Sequence, residues 1–150
     1  MTKVKIKITG NAQIFTATLL DNSSAKAFKQ LLPLTIKMVE LNRNEKYADL
    51  QTSLPTNPSN PKTITIGDLM LYGSETLVLF YKTFSTSYSY TKLGQIDDVT
   101  DLASALGPSR CKNIYCLRLI TRTHQHHSFS CNSTIAIWYS TPSQRSFLES

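Results

Sequence analysis

The stretch at residues 76–98, TLVLFYKTFSTSYSYTKLGQIDD, gives the clearest indication of the fold in this chain of 150 residues. Its first part, residues 76–82, is mostly apolar, as expected for a strand that has one face on the core and the other under a loop or helix. The next part alternates Ser with Thr and Tyr, and Gly94 follows as a turn signal. The stretch therefore predicts two strands that carry tyrosine rings on one side.

The sequence before this stretch adds further strands. KVKIKIT, residues 3–9, alternates Val or Ile with Lys, so one face is apolar and the other is charged. Gly10-Asn11 predicts a hairpin turn into the next strand. Alternation returns in LTIKMVEL, residues 34–41, and EKYADL, residues 45–50, is a further candidate strand. Short strands with frequent turn signals are typical of a β-sandwich or a β-barrel, so the fold class is mainly β.

Two helical segments interrupt the strands. We predict one helix at about 23–32, capped by Asn22 or Ser23, because Phe28, Leu31 and Leu32 form an apolar stripe and a proline follows. A short helical turn is predicted at about 98–106, with Asp97 or Asp98 as its cap. Between the strands, LPTNPSNPKT at residues 54–63 has a proline every three residues and predicts an extended loop, a PxxP-type ligand being the alternative.

Three segments together carry a resemblance to a known family: GDLMLYG at 67–73, LPLTIKM at 32–38, and residues 76–94. With them the chain resembles the bacterial cyclophilin-like fold proteins over about residues 3–106. The resemblance implies a closed cyclophilin-like β-barrel with a helix at one end. It implies no established activity, because these proteins are largely uncharacterised.

The resemblance raises prolyl isomerisation as an alternative function. Cyclophilins that have this activity use an arginine beside a phenylalanine and a glutamine to bind and twist the X-Pro bond. Arg43 is the only arginine before residue 109, and no such motif surrounds it. The amide rotation barrier is about 18–20 kcal/mol, and stabilising the twisted amide requires a placed donor. We therefore expect no catalytic residues, and keep a divergent peptidyl-prolyl isomerase as the alternative.

Aromatic side chains near residue 76 form the candidate binding site: Tyr72, Phe84, Tyr88 and Tyr90. Two interpretations stay open. The rings can pack across strands on a barrel wall, or they can line a groove for a small ligand or a peptide segment, since ligand sites combine aromatic rings with a few hydroxyls. A further alternative is an interaction module for a redox partner such as a flavodoxin.

Other chemistries lack the residues that they need. No Cys or His precedes residue 109, which removes thiol–imidazole and Ser–His pairs from that part of the chain. Asp68, Asp97 and Asp98 lie beside turns or helix starts, where Asp commonly caps backbone amides. The glycines fit no phosphate-binding pattern. No cofactor is therefore expected.

The charge pattern argues against nucleic acid and membrane partners. The net charge is +6, but residues 1–108 hold eleven basic residues against nine acids. A basic balance without an aromatic nucleic-acid motif is weak evidence for nucleic acid. No apolar run reaches the roughly 20 residues of a membrane span. The N-terminus reads as a strand and lacks an apolar leader, so we expect a cytoplasmic protein.

The composition changes sharply near residue 108. All Cys, all His and the single Trp follow it, whereas every Gly precedes it. We therefore predict a β-barrel domain at 1–120 and an atypical, disordered or frameshifted tail at 121–150. A one-base shift near residue 110 permits a short strand and a stop codon. In the given frame, NIYCLRLI at 113–120 can serve as the last strand, and a short strand is possible at STIAIWYS, residues 133–140.

The tail also contains residue types that bind zinc: Cys111, Cys116, His124, His126 and Cys131. Structural zinc sites use tighter, paired spacings of these ligands. We therefore expect no metal site.

Overall fold

The computed structural model describes residues 1–8, 13–107, 115–118 and 133–138, and strands account for most of its elements. Within these residues the elements are β1 (Thr2–Ile8), β2 (Gln13–Leu19), α1 (Ser23–Gln30), β3 (Leu34–Leu41), β4 (Glu45–Asp49), β5 (Thr63–Ile64), β6 (Asp68–Tyr72), β7 (Thr76–Phe80), β8 (Phe84–Ser85), β9 (Thr91–Ile96), α2 (Leu102–Leu106), β10 (Tyr115–Arg118) and β11 (Ser133–Trp138). The prediction of a mainly β fold is confirmed.

Seven strands form one curled antiparallel sheet in the order β1-β2-β9-β6-β7-β4-β3. A second, two-stranded sheet pairs β5 with β8. The large sheet has the shape of a half-barrel, with β1 and β3 at its two edges. The predicted hairpin turn at Gly10-Asn11 lies outside the described residues, although β1 and β2 pair antiparallel as that turn requires.

The closed barrel that the sequence led us to expect is not formed by these seven strands, because β1 and β3 are not paired with each other in the described residues. Two C-terminal segments, β10 and β11, enter the gap, and each pairs with both edge strands. Both segments take Thr35 and Ile36 of β3 as partners. One edge of a strand accommodates one regular ladder, so two segments on the same residues do not make a regular closing strand.

The predicted domain boundary near residue 120 stays a prediction. Most of residues 121–150 lie outside the described part of the chain. The short strand expected at residues 133–140 corresponds to β11, and the last strand expected at 113–120 contains β10.

The inner face of the sheet carries the main core. Val4, Ile6 and Ile8 of β1 are fully buried, which confirms the alternation in the sequence. Phe28 of α1 and Leu106 of α2 are buried in the same cluster. The two helices therefore cover the inner face.

Within the described residues, no helix is long and apolar enough to cross a membrane.

The helix starts confirm one predicted cap and correct the other. Asn22 caps α1, and its side-chain oxygen accepts a hydrogen bond from the Ala25 amide at 2.7 Å. The second helix begins at Leu102 rather than near residue 98, and Asp101, at φ +66°, precedes it without a side-chain cap. Asp97 instead accepts hydrogen bonds from Lys3 and Thr18, and Asp98 accepts one from the Thr100 amide.

Gly94 lies where β9 passes closest to β2. A Cβ atom on Gly94 would be 2.4 Å from the carbonyl oxygen of Thr18 and 3.1 Å from the Leu19 Cα. Both contacts are with backbone atoms, which cannot rotate away. The close approach of the two strands therefore requires glycine at this position.

A second, smaller cluster lies on the outer face of the sheet and contains Ile64, Met70, Val78, Phe80 and Tyr90. Neighbouring residues of β6 and β7, such as Leu69 and Leu79, belong to the inner core instead. Both faces of β7 are therefore covered, which explains the continuous apolar run at residues 77–81.

Candidate functional site

A cavity of about 540 Å³ opens on the outer face of the sheet, beside this second cluster. Its floor comes from β4 and β7, and its wall comes from the segment at residues 84–90. Volumes of about 300–1,000 Å³ are typical of small-molecule sites. The cavity is therefore large enough for a small ligand.

All four aromatic residues that the sequence singled out line this one cavity: Tyr72, Phe84, Tyr88 and Tyr90. The rings of Tyr72 and Tyr88 meet edge to face, with centroids 6.2 Å apart and planes at 89°. The rings of Tyr72 and Tyr90 lie 5.7 Å apart. The rings of Tyr72, Tyr88 and Tyr90 therefore form one continuous group, which we call the aromatic corner.

The members of this corner differ in burial. Tyr90 is 7% exposed and packs edge to face on Phe80, at 5.5 Å between centroids. Tyr72 and Tyr88 are 47% and 61% exposed. Tyr90 is thus part of the outer cluster as well as of the cavity wall, whereas Tyr72 and Tyr88 present their rings at its mouth. The burial of Tyr90 agrees with rings that pack on the sheet, and the exposure of Tyr72 and Tyr88 agrees with rings that border a groove.

The proline-rich segment supports the wall from behind. Ser59 and Tyr90 form an isolated bridge, with backbone hydrogen bonds of 2.9 and 3.0 Å in the two directions. The Asn60 side chain donates to the carbonyl of Ser87, and the amide of Thr86 donates to the carbonyl of Lys62. No helix or strand lies between β4 and β5, as expected for a loop at this segment, and these contacts give the loop a structural role. They also hold the tyrosine-bearing segment in place.

Strand β4 contributes cavity residues that the sequence analysis missed. Glu45, Tyr47 and Asp49 alternate along it and line the cavity, opposite Phe80, Val78 and Thr76 of β7. The EKYADL pattern predicted the strand, but only the pairing with β7 shows which of its faces meets the aromatic residues. This pairing joins residues about thirty positions apart, so no local pattern could have revealed it.

Glu45 is an unusually placed carboxylate. It is 8% exposed, and within residues 1–8 and 13–107 no Lys or Arg forms an ion pair with it. Burial, and to a lesser extent the nearby charge of Glu40, raises the pKa of its carboxyl to about 7. A buried acid with a shifted pKa in a cleft is a candidate functional group.

The phenol of Tyr90 responds to the same environment. Burial raises the pKa of Tyr90, and the negative charge of Glu45 adds to this effect. The charge of Glu45 thus acts on a phenol that lines the same cavity. Glu45 therefore belongs to the aromatic corner electrostatically as well as by position.

The neighbouring cation, Lys46, faces the other side of the sheet. Its ammonium is fully buried and forms an ion pair with Glu40, which also accepts a hydrogen bond of 2.6 Å from the Tyr81 hydroxyl. The same ammonium lies 5.5 Å from the centre of the Tyr81 ring. Lys46 therefore compensates the charge of Glu40 on the inner face, and it leaves the charge of Glu45 on the outer face uncompensated.

The remaining predicted aspartates have structural roles. The carboxylate of Asp68 accepts a hydrogen bond from the Thr65 amide at 2.9 Å and lies 3.2 Å from the Lys92 ammonium. Asp97 and Asp98 line a second cavity of about 340 Å³. Burial alone would raise the pKa of Asp97, but hydrogen bonds from Lys3 and Thr18 hold it below its usual range. The amide partners of Asp68 and Asp98 agree with the interpretation as capping residues, whereas Asp97 accepts from the side chains of Lys3 and Thr18 and caps no helix.

The absence of a metal site among the Cys and His residues of the tail stays a prediction. Cys111, His124, His126 and Cys131 lie outside the described residues, as does the side chain of Cys116. In the portion that is described, no group of three or more His, Cys, Asp and Glu side chains is placed to hold a metal ion.

A comparison with the models of protein families gives a match. The model of the Cyclophilin-like family matches residues 8–112, which include the whole cavity. Among curated proteins, no match was found.

Proposed function

The chain belongs to the Cyclophilin-like family, and we propose that its curled sheet is a scaffold for non-catalytic binding of a small ligand or peptide segment in the outer cavity. The observation that carries this proposal is the convergence of Tyr72, Phe84, Tyr88 and Tyr90 on one cavity. Aromatic walls with a few polar groups are the usual composition of ligand sites.

Two features support binding rather than mere packing. The rings of Tyr72 and Tyr88 are about half exposed even though they contact each other, so part of each ring is accessible to a ligand. The wall that carries them is also held by the proline-rich segment, as in the bridge between Ser59 and Tyr90. A wall that is already ordered reduces the entropy that a ligand loses on binding.

Prolyl isomerisation finds less support. Among the residues that line the cavity, none is Arg, Lys or His, so a cationic donor for the twisting amide is not among them. The proposal therefore predicts no acceleration of cis–trans exchange in a proline-containing peptide, measured by NMR exchange spectroscopy. Acceleration that disappears in Phe84→Ala or Tyr88→Ala would favour the isomerase instead.

We also propose that a C-terminal segment closes the half-barrel. β10 lies in the gap between β1 and β3, antiparallel to both. An unpaired edge strand is a liability that proteins usually cover. One regular strand in this gap would complete the barrel that the family resemblance implies.

The binding proposal is tested with a neutral aromatic probe, 2-phenylethanol, titrated into ¹⁵N-labelled protein. We expect amide shifts to cluster at residues 45–49, 76–78 and 84–90. Tyr72→Ala is expected to weaken binding severalfold, because it removes one wall of the corner. Ile14→Ala, which truncates an exposed apolar side chain outside this cavity, is the control. Shifts scattered over the surface, or no effect of Tyr72→Ala, would contradict the proposal.

A further inference from the structure

The charged side chains that line the cavity all have the same sign. Glu45 and Asp49 line it, and within the described residues no basic side chain does. Asp49 is exposed and accepts a hydrogen bond of 2.7 Å from the Thr76 hydroxyl. Glu45, in contrast, is more than nine-tenths buried. The electrostatic character of the site is therefore negative, and its buried charge is on Glu45.

A buried carboxylate without a cation is unfavourable because the charge loses its hydration. The protein does not compensate it from the adjacent position, since Lys46 is paired with Glu40 on the inner face. Glu40 adds a second negative charge nearby. A positively charged group in the cavity would supply the missing partner.

The other groups on the cavity wall favour the same kind of ligand. The perpendicular rings of Tyr72 and Tyr88 form two sides of a corner, and the faces of tyrosine rings attract cations. The side-chain oxygen of Asn44, another cavity residue, is buried without a hydrogen-bond partner in the described residues. An ammonium group has N–H donors for such an acceptor, whereas an ionised carboxylate has none.

We propose that the outer cavity binds a small organic cation. Its charged group is a protonated amine that lies between the tyrosine rings, and Glu45 is the counter-ion of this amine. This inference rests on the proposed function, because it names the class of ligand for the same cavity. The ligand is a small molecule rather than a protein surface, since the volume of about 540 Å³ lies within the range of small-molecule sites.

A matched set of probes separates the contribution of charge from that of shape. Phenethylammonium, 2-phenylethanol and phenylacetate share a phenyl ring and a short linker, and they differ mainly in carrying a positive, zero or negative charge. At about pH 8, where both Glu45 and the carboxylate probe are ionised, we expect phenethylammonium to bind about tenfold more tightly than the alcohol. Phenylacetate should bind more weakly than either, because Glu45 repels it.

Variants of the protein test whether Glu45 is responsible for the preference for the ammonium probe. Glu45→Gln keeps the shape of the side chain and removes its charge, so the ammonium probe should lose its advantage of about tenfold over the alcohol. Asp21→Asn removes an exposed carboxylate that is not part of the cavity lining and should change neither affinity. Tyr72→Leu, at an exposed position, gives a second test and should weaken the ammonium probe more than the alcohol.

The outcomes distinguish this inference from the proposal on which it rests. Equal affinities of the ammonium probe and the alcohol, or an ammonium preference that persists in Glu45→Gln, would overturn the inference. Binding of the alcohol in the cavity would leave the proposed function standing. If none of the three probes shifts the cavity amides, both are wrong.

Discussion

The Glu45 carboxylate links the protonation of the cavity to the stability of the fold. Its pKa is about 7 in the folded protein and about 4.3 in an unfolded chain. Between these values the folded protein binds more protons than the unfolded chain, so the free energy of unfolding decreases as pH rises. The stabilising effect of the protonated form is complete below the lower value and is lost above the higher one.

We therefore expect Glu45→Gln and the natural protein to have similar stability at about pH 4, and the variant to be more stable by on the order of 2 kcal/mol at about pH 8. Urea unfolding at a series of pH values measures this difference. Asp21→Asn, at an exposed carboxylate, should show no such trend. A difference between Glu45→Gln and the natural protein that does not change with pH would show that the carboxylate is not strained by burial.

Lys46 offers the opposite case, a buried charge that the protein does compensate. Lys46→Met would leave Glu40 without its ion pair, with Glu45 close by. Breaking a buried pair from one side commonly costs about 3–5 kcal/mol, whereas replacing both partners is often close to neutral. We expect Lys46→Met to lose about 3 kcal/mol and the double variant Glu40→Gln/Lys46→Met to recover most of it.

The measurement is urea unfolding at neutral pH, with Lys26→Met as the control. Lys26 forms an exposed pair with Asp21, at 3.3 Å, and such pairs contribute about 0–1 kcal/mol. If Lys46→Met costs no more than Lys26→Met, the Glu40–Lys46 pair does not stabilise the inner face.

At the scale of elements, the approach of β9 to β2 depends on Gly94. Gly94→Ala would bring its Cβ against the Thr18 carbonyl oxygen, so one of the two strands must move. Overpacking of this kind typically costs about 1–3 kcal/mol, and more when backbone is displaced. We expect a loss of at least about 2 kcal/mol in thermal or urea unfolding.

Gly73 is a suitable comparison because its backbone conformation favours glycine, whereas close packing requires glycine at position 94. It has φ +63°, and a Cβ there would meet nothing within 4 Å. Gly73→Asn should therefore be tolerated with a loss below about 1 kcal/mol, since Asn adopts this conformation more readily than other side chains. A Gly94→Ala variant as stable as Gly73→Asn would contradict the close-packing argument.

The sequence predicted most elements because their patterns are local. The alternation in β1 identified Val4, Ile6 and Ile8 as core residues, and the position before an apolar stripe identified Asn22 or Ser23 as the cap, of which Asn22 is the one observed. Glu45 was missed because its environment comes from Phe80 across a strand pair, which sequence spacing does not reveal. The start of α2 was misplaced because Asp97 and Asp98 have hydrogen-bonding partners other than a helix terminus.

At the scale of the whole molecule, the sequence patterns did not show which segment fills the gap between β1 and β3. β11 pairs with Lys5, Ile6 and Lys7 of β1 and with part of β3, where β10 also pairs. The family match ends at residue 112. If β10 alone supplies the closing strand, the remainder of the chain is dispensable for folding.

We therefore expect a chain that ends after residue 120 to unfold cooperatively, with its β3 amides at residues 35–38 still protected from hydrogen exchange. Protection should fall only at those β1 amides that face β11. Hydrogen exchange compared between the two chain lengths measures this. A shortened chain without a cooperative transition would show that β11, which buries Ile137, is needed to complete the core.

The alternation along β4 separates two sets of residues within five positions. Glu45, Tyr47 and Asp49 border the cavity, whereas Lys46 and Ala48 are buried on the inner side of the sheet. Because successive strand residues point to opposite faces, the first set can be exchanged without repacking the second. A library randomised at positions 45, 47 and 49 alone should therefore yield folded proteins with altered ligand preferences. This makes β4 a natural starting point for engineering new receptors on this scaffold.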